Sequence, residues 1–366
     1  MNNSVLGACV LGAASLVALA ACGRDGQPPQ MDAVDTGPRT ASVAERWLTP
    51  RNESDNVDSV AVWHSRTGDH WLLATAKATD VLLVYDAVNG APLRRVGGSG
   101  SGLGEFRRPN GVTVMQDLAF IVERDNARVQ VLRLPELAPV GVFGEDLVRP
   151  YGIFVHATGE GTYEVFVTDN YEQADERIPP DEELGERVRK YRVTVNQGGL
   201  QAELARAFGA TDGPGVLRKV ESIFGDAEHD RLLLAEELES ERTIKIYDFA
   251  GEFTGQIMGE GVFRYEPEGI ALYRCAGGAG YWFVVDQDQA RNVFNVFDRR
   301  SLEPLGRFAG EVTRNTDGIW LTQQPMEGFA GGALYAVHDD GNVAAFDLDA
   351  ALAAMNLETC AASASS

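Results

Sequence analysis

A polar residue followed by Gly or Ser, then by an apolar strand-like run, recurs six times along the 366-residue chain. The copies centre on Asp58-Ser59, Asn110-Gly111, Tyr151-Gly152, Glu221-Ser222, Glu268-Gly269 and Asp317-Gly318. They stand about 50 residues apart, and a repeat of that length built from several short strands marks a β-propeller. The innermost strand of each blade lines the central channel. The polar residues of the six copies are therefore expected in one ring: Asp58, Asn110, Tyr151, Glu221, Glu268 and Asp317. Four carboxylates in a ring point to a cation site.

The outer half of each unit is legible too. Leu82–Asp86, Val129–Leu132, Val188–Tyr191, Thr243–Asp248, Val293–Asp298 and Val343–Asp347 are rich in β-branched and aromatic residues, as strands are. Most are followed by a polar turn and a further short strand ending at Gly. The expectation is an all-β, six-bladed propeller over residues 41–355 with four antiparallel strands per blade and a tail over 356–366. The last unit lacks its fourth strand. Residues 42–49, with Val43, Trp47 and Leu48, are expected to supply it and so close the ring with both termini in one blade, leaving no open edge between them. Glu172–Gly185, acidic and with two prolines, reads as an insertion in the third blade.

Where the second strand of each unit ends, alignment gives a second ring: Lys77, Arg124, Asn170, Glu237, Gln287 and Asp339. It lies on the same face as the first, since the first strand starts where the second ends. That face is polarised. Lys77, Arg108 and Arg124 come from blades one and two, whereas Glu221, Glu237, Glu268, Asp317 and Asp339 come from blades four to six. Cations beside carboxylates suit phosphate handled with Ca²⁺, which takes six to eight oxygens. Such acids also cap strands or bind one structural ion, and Arg commonly pairs with Glu at surfaces.

The formal net charge is −22, and residues 1–21 hold no charged side chain. So acidic a chain repels nucleic acid and anionic lipid surfaces, and solubility accounts for much of the surplus. The apolar, small-residue stretch before Cys22 (Leu19-Ala20-Ala21-Cys22-Gly23) resembles a bacterial lipobox, although no Lys or Arg precedes it. It implies a signal over 1–21, lipid on Cys22 and a tether over 22–40. The protein would then be exported, would touch a membrane of the cell envelope only through that lipid, and is expected to be a monomer. Cys275 and Cys360 remain in an oxidising compartment. A disulfide tying the tail to blade five and a pair of free thiols both fit.

Several stretches, taken in order, resemble the β-propeller phytases, calcium-dependent enzymes that release phosphate from inositol hexakisphosphate. They are Asp58-Ser59-Val60-Ala61-Val62-Trp63, Thr75-Ala76-Lys77 with Val84-Tyr85-Asp86, Arg108-Pro109-Asn110, Tyr151-Gly152, Glu221, Ala235-Glu236-Glu237, Glu268-Gly269 and Thr316-Asp317-Gly318-Ile319. The likeness spans roughly residues 55–347. It implies Ca²⁺ ligands at Asp58, Glu221, Glu237, Glu268, Asp317 and Asp339, and phosphate contacts at Lys77, Arg108, Arg124 and Tyr151. The substrate implied is a small phosphate ester such as phytate. Three departures stand out. Ser59 replaces an Asp, Asp169-Asn170 stands where the family has Lys-Glu, and Glu311 replaces an Asp.

Gly100–Leu132 also resembles an NHL repeat, which builds six-bladed propellers that often only bind peptides, glycans or proteins. Other chemistries lack their motifs: there is no Gly-x-Ser-x-Gly, His-Glu-x-x-His or Cys-x-x-Cys, and Gly97–Gly104 is no phosphate loop. His338 abuts the second ring and reads as a strand-end surface histidine or a substrate contact.

Overall fold

The structure is a computed structural model that describes residues 39–175 and 177–360. The leader, Cys22 and the tether up to residue 38 lie outside the described residues. Six sheets of antiparallel strands follow one another around a channel, each wound from the innermost strand outward. Blade one comprises Val57–His64, His70–Ala76, Val81–Asp86 and Pro92–Gly97, and blades two to five repeat this order. Blade six has Ile319–Thr322, Ala333–His338 and Asn342–Asp347, with Trp47–Leu48 as its outer strand. The N-terminal segment thus closes the ring as the incomplete last repeat required. It also does something the repeat did not announce: Ala41–Ser42 adds a parallel fifth strand to the edge of blade five.

The innermost strands explain the repeated motif. In blades one to five the pairing register breaks across the polar-Gly or polar-Ser step, between Val57 and Val60, Pro109 and Val112, Pro150 and Ile153, Val220 and Ile223, and Pro267 and Ile270. A bulge at that point re-aims a side chain, and here it marks where the polar residue meets the channel. The residue after it has little room. A Cβ on Gly111 would sit 2.4 Å from the Tyr151 carbonyl oxygen, and one on Gly152 would sit 2.2 Å from that of Glu221. Neighbouring innermost strands touch backbone to backbone there. Hydroxyls stitch the same step, with Thr75 Oγ1 donating to the Asn110 carbonyl at 2.6 Å and Thr168 Oγ1 to that of Glu221 at 2.7 Å.

Away from the channel, side chains alternate between the two faces of each sheet, so every blade packs against both neighbours. The buried apolar residues form six clusters, one per seam between adjacent blades. Trp63 and Leu73 pack toward blade two, for example, while Val62 and Leu72 pack toward blade six.

A second set of acids holds the entry loops. A buried carboxylate stands at the end of the second strand in four blades: Glu123, Asp169 and Glu236 as its last residue, and Asp286 as the last but one. Each accepts backbone N–H groups from the loop that enters its own blade. Asp169 takes those of Val148 (3.0 Å) and Arg149 (2.7 Å), and Asp286 takes those of Arg264 (3.0 Å) and Tyr265 (2.8 Å). Glu236 holds Arg218 and Lys219 in the same way, and Glu123 holds Arg107. Blade six uses His338, whose Nδ1 accepts from the Arg314 N–H at 3.3 Å, and Glu45, which accepts from residues 311–313. His338 is therefore buried and braces this loop, and does not stand at the surface.

Cys275 and Cys360 form a disulfide. The tail after the short helix Leu348–Ala354 is thereby fastened to blade five, where Tyr281 Oη also donates to the Glu358 carbonyl at 3.2 Å.

Two substitutions test this frame by urea unfolding. Asp286→Ala removes the acceptor of two loop N–H groups and should cost about 1–3 kcal/mol. Gly152→Ala forces a methyl onto a fixed backbone carbonyl and should cost about 1–3 kcal/mol.

Candidate functional site

The bulges bring the first ring together as its spacing required. Asp58, Tyr151, Glu221, Glu268 and Asp317 line one cavity of about 30 Å³, with Ser59, Gly152 and Ser222 between them. Asn110 joins them by donating its Nδ2 to Asp58 at 3.1 Å. That volume admits an ion or a water or two, whereas an inositol phosphate would have to lie across the mouth.

Glu237, from the second ring, completes the acid side. Glu221, Glu237 and Glu268 each present a carboxylate oxygen within 4.8 Å of the others. Burial pushes the Glu221 carboxyl up to about 7, reinforced by Asp58, and lifts Glu237 and Glu268 well above the usual range, reinforced by the other acids of the cluster. Glu237 Oε1 is buried and has no hydrogen-bond partner among the described residues. A polar atom in that position is costly unless something cationic or protic fills the gap. Three carboxylates, one of them with an orphaned oxygen, form a donor set that fits a hard divalent cation such as Ca²⁺.

The rest of the ring is differently organised. Lys77 Nζ bridges Asp58 Oδ1 at 2.9 Å and Asp317 Oδ2 at 3.0 Å. Burial alone would lower the Lys77 pKa, but the two carboxylates outweigh it and hold it up. Lys77 therefore acts here as the counter-ion of two expected metal ligands and not as a free phosphate contact. The Ser59 hydroxyl donates to Asp58 Oδ2 at 3.0 Å, so it supports that aspartate.

On the basic flank, Arg124 Nη1 (3.4 Å) and Arg149 Nε (3.3 Å) both donate to the Tyr151 phenol oxygen. Arg124 is also paired with Asp125 and Arg149 with Glu172. The Arg108 backbone adjoins that of Arg124, its carbonyl accepting from the Arg124 N–H at 3.1 Å. The buried Nε of Arg108 has no partner among the described residues.

One expected ligand is misplaced. Asp339 Oδ2 accepts from Arg51 and Arg314, each at 2.7 Å, which holds it at the surface outside the glutamate cluster. Asp339 and Asp340 both have left-handed backbone (φ 49° and 55°) in the turn between the second and third strands of blade six. It is Asp340 that feels Lys77 and Asp58 electrostatically; burial is the main cause of its raised pKa. Likewise Asp169 is a loop anchor, and Asn170 is buried.

Sequence reasoning missed Arg149 and Lys219. Both stand one residue before their repeat, the step that Arg108 occupies in blade two, so the signal was present. Lys219 Nζ reaches Glu237 at 3.3 Å and Glu266 at 2.6 Å.

No family model and no curated protein matches this chain. Among solved structures, a chain of a nidogen/laminin complex aligns with a TM-score of 0.48 and 14% identity, covering 73% of this chain and 85% of that one. A likeness so distant bears on neither family nor activity.

The raised carboxyl pKa values set a pH dependence. A carboxyl whose folded pKa lies above its unfolded value contributes stability below the unfolded value and loses it as pH rises through the folded one. In chelator, the melting temperature should therefore fall between pH about 4.5 and pH about 7.5. Added Ca²⁺ should restore it, and more strongly at the upper end. A Ca²⁺ effect that shrinks as pH rises would contradict this assignment.

Proposed function

We propose that the protein is an exported, cation-dependent phosphomonoesterase of phytase-like type. The observation that carries this reading is the meeting, at one channel mouth, of a donor-poor glutamate cluster with two guanidiniums converging on a tyrosine. Glu221, Glu237 and Glu268 would hold the cation. Bound there, Ca²⁺ supplies positive charge that draws in a phosphate and acidifies nearby water.

The chain's own groups then have separable tasks. Arg124 and Arg149 would exchange Asp125 and Glu172 for non-bridging phosphate oxygens, as guanidinium forks do. Arg108 would add its free donors. The Tyr151 phenol already accepts from both arginines, which leaves its proton for an acceptor over the cavity. Together these donors would hold the extra negative charge of the transition state. The Cys275–Cys360 disulfide supports an oxidising compartment, consistent with export and with lipid anchoring at Cys22.

The size of the cavity favours a second reading. A space of about 30 Å³ suits an ion alone, which would make the protein an ion-stabilised module that binds a partner across the same mouth.

Phosphate release from calcium phytate separates the two, using the chain without residues 1–22. Under the first reading, release stops on adding chelator, and Arg124→Ala lowers kcat/KM by about 10²–10³-fold. No release at any calcium level, with the fold intact, removes the enzyme. Calcium-induced thermal stabilisation without turnover then leaves the binding module.

A further inference from the structure

The ring divides into a half whose carboxylates are saturated with donors and a half whose carboxylates are not. Asp58 Oδ1 accepts from Lys77 (2.9 Å) and Asn110 (3.1 Å), and its Oδ2 from Ser59 (3.0 Å). Asp317 Oδ2 accepts from Lys77 at 3.0 Å, and its Oδ1 from Gln287 Nε2 at 2.5 Å. Every oxygen of this pair is engaged. When ionised, the two aspartates and the ammonium sum to one negative charge.

Across the channel the balance is reversed. Glu221, Glu237 and Glu268 carry three charges when ionised. The ammonium beside them, Lys219, is 3.3 Å from Glu237 and is shared with Glu266 at 2.6 Å. The contact from Ser222 Oγ to Glu268 is long, at 3.4 Å. Glu237 is 1% exposed, and its Oε1 is unpartnered among the described residues. Asp340 adds one half-buried carboxylate near Lys77 and Asp58, but among the described residues three carboxylate oxygens within 4.8 Å of one another, where a divalent ion could be held, occur in the glutamate half alone.

We propose that Lys77 is a tethered cation standing in for a second divalent ion, so that the mouth binds a single ion, held by Glu221, Glu237 and Glu268. The ammonium is compact and strongly charged, and it is held in place by its own strand end, so it neutralises the aspartate pair at every calcium concentration. Removing it would free Asp58 Oδ1 and Asp317 Oδ2, the two oxygens it bridges, as a second oxygen site. This inference rests on the reading of the mouth as a cation site but not on phosphatase activity.

Calorimetric titration of CaCl₂ into the chelator-treated chain lacking residues 1–22 tests it without turnover. The unsubstituted chain should bind one ion, and Lys77→Met should bind two. Asp58→Asn with Asp317→Asn should keep the single ion with affinity within about threefold, whereas Glu237→Gln should weaken it at least about tenfold. The aspartate variant keeps the test decisive if Lys77→Met fails to fold. Two ions in the unsubstituted chain, one ion in a folded Lys77→Met, or loss of binding in the aspartate variant overturns the proposal. Absence of any calcium heat or thermal shift overturns the cation site as well, while one bound ion without phosphate release overturns only the phosphatase reading.

Discussion

Everything at the channel mouth depends on the close backbone approach of neighbouring innermost strands. Where Gly111 faces the Tyr151 carbonyl and Gly152 faces that of Glu221, there is no room for a side chain. The strand bulges at the same step. One local constraint thus has two results. It brings the innermost strands of blades two, three and four into backbone contact, and it places the preceding polar side chain at the channel. The ring of acids is a by-product of how the torus closes, and the seams of apolar residues behind it hold that geometry rigid.

The acid surplus serves three different purposes. Glu123, Asp169, Glu236 and Asp286 are buried against backbone N–H groups and hold the loops that carry Arg108, Arg149 and Lys219 at the mouth. Asp58 and Asp317 are balanced by Lys77. Among the described residues of the mouth, Glu221, Glu237 and Glu268 are the three carboxylates that crowd within 4.8 Å of one another, and Glu237 Oε1 has no donor. A carboxylate's neighbours, not its place in a repeat, decide whether it is a brace, half of an ion pair or a ligand.

Much of the site was legible because the channel position follows from one repeated step. Asp58, Tyr151, Glu221, Glu268 and Asp317 needed only that step to be found, and all five line one cavity. The second ring was harder to align, because it ends in turns whose geometry differs between blades. Two consecutive left-handed residues at 339 and 340 shift the register by one and send Asp339 to Arg51 and Arg314. Glu236 and Glu237 are adjacent and alike in type, yet one anchors a loop and the other joins the cluster.

By itself the sequence determined that the chain makes six blades, that a strand near the N-terminus completes the last one, and that a set of acids meets at one depth of the channel. Period and strand alternation suffice for that, since they act on every copy alike. Tertiary structure alone decided that Cys275 and Cys360 pair, that Lys77 answers Asp58 and Asp317, and that Arg149 joins Arg124 on Tyr151. The disulfide and the Lys77–Asp317 pair join residues far apart in the chain, and in all of these contacts an ångström or two of side-chain reach, which no repeat period encodes, settles whether the groups meet.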